Sequence, residues 1–94
     1  MNCSELAPGQ VVAVEVNGVA VAMCNLDGEF HALGHWCPHQ DGPLGEGWLE
    51  DGCLICPWHA WSFEVKTGQH PLIPGVGVPK FTVRVEGDNV FVEV

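Results

Sequence analysis

Apolar and polar positions along the chain follow strand periods almost throughout. Val11-Val12-Ala13-Val14-Glu15-Val16 and Val19-Ala20-Val21-Ala22-Met23-Cys24 are two apolar runs separated by Asn17-Gly18. Asn-Gly accepts the positive φ angles of a type I′ turn, so the three pieces predict a β-hairpin. Both runs are apolar at nearly every position, and the strands are therefore expected to be covered on both faces or wrapped into a barrel-like sandwich. Asp27-Gly28 predicts a turn into a strand over 29–33. Trp48-Leu49-Glu50, a turn at Asp51-Gly52, and Cys53-Leu54-Ile55-Cys56 predict another hairpin, and Ser62-Phe63-Glu64-Val65 a strand ended by Lys66-Thr67-Gly68. Pro71 and Pro74 mark an edge or a loop. Phe81, Val83 and Val85 alternate with Thr82, Arg84 and Glu86, and Gly87-Asp88-Asn89 turns the chain into Val90–Val94 as a closing hairpin. No amphipathic helix of useful length, repeat or linker is present. The expectation is an all-β fold, a small antiparallel sandwich or barrel.

Two stretches stand outside this pattern. Cys37-Pro38-His39 and Cys56-Pro57-Trp58-His59 are separated by sixteen residues, and each offers one thiolate and one imidazole. Four ligands of these two kinds suit a tetrahedral zinc ion or an iron–sulfur cluster. Zinc sites usually group like ligands in short pairs, whereas here each loop mixes the two kinds. Gly42-Pro43 and Gly45-Glu46-Gly47 keep the first loop irregular, which allows main chain to approach a cluster and point N–H groups at it.

Each motif cysteine is followed by proline, Gly42-Pro43-Leu44 follows the first motif, and Trp58-His59-Ala60-Trp61-Ser62-Phe63 surrounds the second. On these residues the chain resembles the Rieske ferredoxins of oxygenase systems. The resemblance implies one [2Fe-2S] cluster, with Cys37 and Cys56 on one iron and His39 and His59 on the other. It implies a single domain over 1–94, with an inserted cluster-binding subdomain of two loops from about 33 to 63. The implied function is that of a soluble electron carrier, not an enzyme. It would move one electron from a flavin-dependent reductase to a terminal oxygenase of the ring-hydroxylating type. The alternative within the same fold is the Rieske-like small subunit of an assimilatory nitrite reductase, which often lacks the cluster ligands. A non-redox interaction module remains if no cluster assembles.

Neutral imidazoles in place of thiolates raise the potential of such a cluster into a range of about −150 to +300 mV. High-potential members of the family carry a loop-to-loop disulfide and hydroxyls near the sulfurs. The matching positions here are Gly42 and Trp58 for the disulfide, and Trp61 and Phe63 for the hydroxyls. The resemblance therefore implies the low-potential branch.

Composition and charge narrow the partners. Twelve carboxylates against three basic residues leave a formal charge of −9, which argues against nucleic acid and anionic membranes and favours partners with basic patches. The N-terminus has no basic region followed by an apolar run, and no stretch approaches the ~18 apolar residues of a membrane span. The expectation is a cytoplasmic monomer, unlike the membrane-anchored Rieske subunits of cytochrome complexes. No nucleophile–base pair or second metal triad suggests a substrate pocket. Of the remaining cysteines, Cys3 is expected near a mobile terminus, Cys24 as a buried hydrophobe, and Cys53 at the start of the strand delivering Cys56. His31 is expected half-exposed and His70 at the surface, while His35 receives no role. Trp58 and Trp61, with Trp36, are expected to shield the cluster or to sit in the core.

Overall fold

The computed structural model describes residues 1–38, 41–58 and 60–94. Five strands form one curled antiparallel sheet: β1 (Val11–Val16), β2 (Val19–Leu26), β3 (Glu29–Gly34), β7 (Lys80–Glu86) and β8 (Asn89–Glu93), in the order β1-β2-β3-β7-β8. Between β3 and β7 the chain builds a second sheet of three short strands, β4 (Trp48–Glu50), β5 (Cys53–Ile55) and β6 (Ser62–Glu64). Among the described residues the helical content is two 3-10 turns, Cys3–Glu5 and Leu44–Glu46.

The turn chemistry read from the sequence is what the backbone uses. Val16 pairs with Val19 across Asn17-Gly18, with φ of 49° and 80°, and Glu50 pairs with Cys53 across Asp51-Gly52, with φ of 50° and 78°. Both are two-residue hairpins with positive φ at both central positions, which match the twist of the flanking strands.

The apolar run of β2 has a specific cause. Successive side chains point to opposite faces of a sheet, and both faces of this strand are covered. Ala22 and Cys24 lie in a core with Leu33, Leu44, Leu54, Phe63 and Val65, between the two sheets. Val21 and Met23 face the other way, into the curl of the five-stranded sheet, with Leu6, Ala32 and Val90. Edge strand β1 is different: Ala13 and Glu15 are exposed, while Val12, Val14 and Val16 pack on the second core.

The two ends of the excursion between β3 and β7 meet. Gly34 N–H donates to the Pro79 carbonyl at 2.8 Å, and β3 and β7 pair through Ala32 with Phe81 and Leu33 with Lys80. The N-terminus is held, contrary to the expected mobile end. The Met1 amino group donates to the Val90 carbonyl at 3.0 Å, Val90 N–H returns the bond at 2.7 Å, and Cys3 N–H donates to Asp88 O at 2.7 Å. Asn2 caps the first 3-10 turn by accepting from Ser4 N–H while Glu5 accepts from Asn2 N–H.

Candidate metal centre

The first loop is closed on itself by main-chain bonds. Cys37 N–H donates to Gly42 O at 2.8 Å, Leu44 N–H to His35 O at 2.8 Å, and Trp36 bridges Pro43. Asp41 takes φ of 54°, a left-handed conformation that aspartate tolerates. His35 staples this loop to the scaffold: its backbone N–H donates to Ala20 O at 3.2 Å, and its Nδ1 accepts the Gly45 N–H at 3.1 Å. Sequence reasoning missed this role, and no spacing signal identifies it, because the partner is a backbone amide ten residues away.

The second loop leaves β5 and enters β6. Cys56 N–H donates to the Trp61 carbonyl at 2.8 Å, and Ala60 turns the chain with φ of 56°. The β4–β5 hairpin therefore ends at Cys56, and the β3 end delivers Cys37.

Both cysteines are fully buried in the core between the sheets, beside Leu44, Leu54 and Phe63. They converge on Gly42. A Cβ built on Gly42 would lie 2.5 Å from Cys56 Sγ, 3.5 Å from Cys37 Cβ and 3.4 Å from Trp58 Cβ. Two buried cysteines brought together beside a side-chain-free residue, in an apolar core with loop backbone around them, fit a thiolate-held inorganic group. His39 and His59 lie outside the described residues, so the structure brings together two of the four expected ligands. Among the described residues no group of three or more His, Cys, Asp or Glu side chains is placed to hold a metal.

Residues 1–85 match the family model of the Rieske [2Fe-2S] domain. The chain belongs to the Rieske family. A Rieske domain carries one [2Fe-2S] cluster, and the buried Cys37 and Cys56 suit that group. Among relatives, the ferredoxin component of biphenyl 2,3-dioxygenase from Rhodococcus jostii (strain RHA1) is 38% identical over 91 residues, covering 96% of this chain and 85% of that protein. Apoptosis-inducing factor 3 of Homo sapiens is 42% identical over 89 residues, covering 94% of this chain, but the chain spans only 15% of that protein's length. Among solved structures, a ferredoxin from a complex of reduced oxygenase and oxidised ferredoxin in carbazole 1,9a-dioxygenase is 30% identical with a TM-score of 0.88, covering 98% of this chain and 96% of that one. A chain described as an NADH-dependent nitrite reductase small subunit from Mycobacterium tuberculosis is 27% identical with a TM-score of 0.87, covering 95% and 85%.

Several residues of this Rieske domain stand elsewhere than expected. Trp61 packs against the core that holds Cys37 and Cys56, whereas Trp36 and Trp58 stand out into solvent at 57% and 47% exposure. His70 is half-buried and turned inward, edge-on to Trp61 with ring centroids 5.6 Å apart and to Phe63 at 6.3 Å. Its Nδ1 accepts the N–H groups of Leu72 and Ile73, so the 70–73 turn fixes the ring against the second loop.

His31 is buried at 6% exposure, not half-exposed. It sits opposite Cys24, with Lys80 Nζ 3.2 Å from its Nδ1 and Glu29 Oε1 2.7 Å from its Nε2. Burial first, and then Lys80, hold the imidazole below its ordinary pKa of 6.5, with Glu29 opposing. Cys24 is the buried hydrophobe expected, its thiol pushed up to about 11 by burial. Cys53 is raised by burial and by the carboxylates of Glu64 and Asp51. Among the described residues no helix is long and apolar enough to cross a membrane.

Proposed function

We propose that this chain is a low-potential Rieske ferredoxin that carries one electron from a flavin-dependent reductase to a terminal oxygenase of the ring-hydroxylating type. The observation that carries the reading is the convergence of buried Cys37 and Cys56 on Gly42, in a chain matched along nearly its whole length by dioxygenase ferredoxins. We assign Cys37 and Cys56 to one iron and His39 and His59 to the other. When bound, the cluster would supply a one-electron acceptor and donor.

The chain's own residues then do three things. The apolar walls of Leu44, Leu54 and Phe63 keep water from the sulfur side. The main-chain bonds Cys37 to Gly42 and Cys56 to Trp61 hold each thiol-bearing residue in place, so that little rearrangement accompanies a change of charge. The absence of side-chain hydroxyls at Trp61 and Phe63 would leave the sulfurs less positively surrounded, which favours a low potential. The ligand loops, about 33–63, form the cluster-binding part of one domain over 1–94. A cytoplasmic monomer, acidic and exchanging between two partners, suits such a carrier.

The nitrite reductase small subunit remains a second reading because a chain so described shares the fold at a TM-score of 0.87. Retention of both motif cysteines at one buried point favours the carrier. Reconstitution with reductase and oxygenase fractions from the native host tests the choice. The carrier reading expects NADH-driven hydroxylation of an aromatic substrate that requires this chain; a chain-dependent reduction of nitrite, with no hydroxylation, contradicts it.

A further inference from the structure

Asp41 and the exposed Trp36 line one shallow cleft of about 350 Å³ on the first ligand loop. Trp58 stands beside it, since its Cβ lies against Gly42 and Trp36 bridges Pro43. An indole and a carboxylate lining one cleft are the chemistry that receives a guanidinium, whose plane stacks on an aromatic ring while its N–H groups meet a carboxylate.

No described lysine or arginine at this end of the molecule opposes a cation. No Lys or Arg occurs in residues 1–65; the three are Lys66, Lys80 and Arg84. Arg84 is engaged by Glu86 and Glu93, Lys80 stands against His31, and Lys66 follows Val65, whose N–H bonds Gly52 at the turn of the β4–β5 hairpin opposite the loops. Asp41 and Glu46 on the first loop are both exposed. An indole exposed to this degree carries area that a partner can bury, and Trp is a residue type that dominates such contacts.

We propose that the Trp36 and Asp41 cleft, flanked by Trp58, receives an arginine side chain from the basic surface of the electron-transfer partner. This rests on the carrier reading above. Arginine is favoured over lysine because a compact ammonium offers neither the plane for the indole nor the paired donors for Asp41. Replacing Trp36 leaves the net charge unchanged, so its effect separates the cleft from general attraction to an acidic protein.

The test uses the cluster-loaded, oxidised protein, titrated with hexa-arginine and with hexa-lysine while the indole N–H signals are followed by nuclear magnetic resonance. Trp36 and Trp58 are expected to shift, with hexa-arginine binding severalfold more tightly. Trp36→Ala and Asp41→Asn should each weaken hexa-arginine by about tenfold, a step that corresponds to about 1.4 kcal/mol. Phe91→Ala, on a distant strand, should not change it. Both variants should keep the visible spectrum, because Trp36 is outside the core and asparagine accepts the backbone conformation of Asp41. Equal affinity for wild type and both variants, or signals that shift only elsewhere, overturns the proposal. A second arm reads the electron-transfer rate from reduced protein to cytochrome c, a basic one-electron acceptor, where the same variants should be about tenfold slower at low salt. Variant-sensitive peptide binding with no electron delivered to any acceptor would leave the cleft standing and refute the carrier reading instead.

Discussion

Gly42 faces Cys56 so closely that a Cβ on the glycine would lie 2.5 Å from the sulfur, closer than any real side chain tolerates. The first loop thus reaches the second at a residue with no side chain, with the Cys56 sulfur and the Cys37 Cβ beside it. A Cβ there requires the Cys56 sulfur or the first loop to shift. Gly42→Ala is expected to lower iron content per chain and to cost about 1–3 kcal/mol through overpacking. For a domain of this size that is a fall of about 4–8 °C in melting temperature per kcal/mol. Gly18→Ala, at a hairpin turn with open space around it, should keep full iron. Equal iron in the two variants would show that the gap is not needed.

The five cysteines should separate cleanly by iron analysis. Cys37→Ser and Cys56→Ser are expected to lose the cluster and to melt earlier, because the bound group contributes to folding. Cys3→Ser, Cys24→Ser and Cys53→Ser are expected to keep it. In the native protein Cys24 should resist thiol reagents at neutral pH, since burial pushes its pKa to about 11 and the thiolate is the reactive form. Normal colour in Cys56→Ser would exclude that residue as a ligand.

How much of this was legible in the chain depends on whether the cause was local. Asn17-Gly18 and Asp51-Gly52 announce their hairpins because positive φ is a property of those residues themselves. The apolar run of β2 announced coverage on both faces, and the two cores around Ala22 and Met23 are that coverage. The cysteine spacing pointed to the place where Cys37 and Cys56 come together, because ligand chemistry is written in residue type. What was not legible depends on distant partners. His31 is buried because Lys80, forty-nine residues on, meets it across the seam of β3 and β7. His35 is fixed by the Gly45 amide, a group that every residue but proline offers. Nor does composition tell an inward from an outward tryptophan: Trp61 and Trp58 are three residues apart and have opposite fates.

His31 gives the stability a pH dependence with a definite sign. Its folded-state pKa lies below 6.5, so as pH falls below that value the unfolded chain binds the extra proton first. Stability is therefore lost as pH falls from 6.5 through the folded-state value, and is unaffected by this group at higher pH. Urea unfolding of the cluster-loaded protein at a series of pH values measures it. His31→Gln should flatten the dependence in that window relative to wild type. Identical slopes would mean that the buried imidazole does not titrate as its surroundings require.

Phe63 is fully buried beside Cys37 and Cys56 and offers their sulfurs no hydrogen-bond donor. A hydroxyl placed there should stabilise the added electron, so Phe63→Tyr is expected to raise the midpoint potential by tens of millivolts, within the span of about −150 to +300 mV seen for this ligation. A potential unchanged or lowered in a variant with normal iron content would count against donor scarcity as the cause.

The midpoint potential of the unaltered protein, measured by protein-film voltammetry across neutral pH, tests the carrier account most directly. A low-potential ferredoxin should give a value at or below about 0 mV that varies little with pH near neutrality. A value well above about +150 mV, or one that falls steeply through the neutral range, would place the protein with the high-potential members and contradict its assignment as an oxygenase ferredoxin.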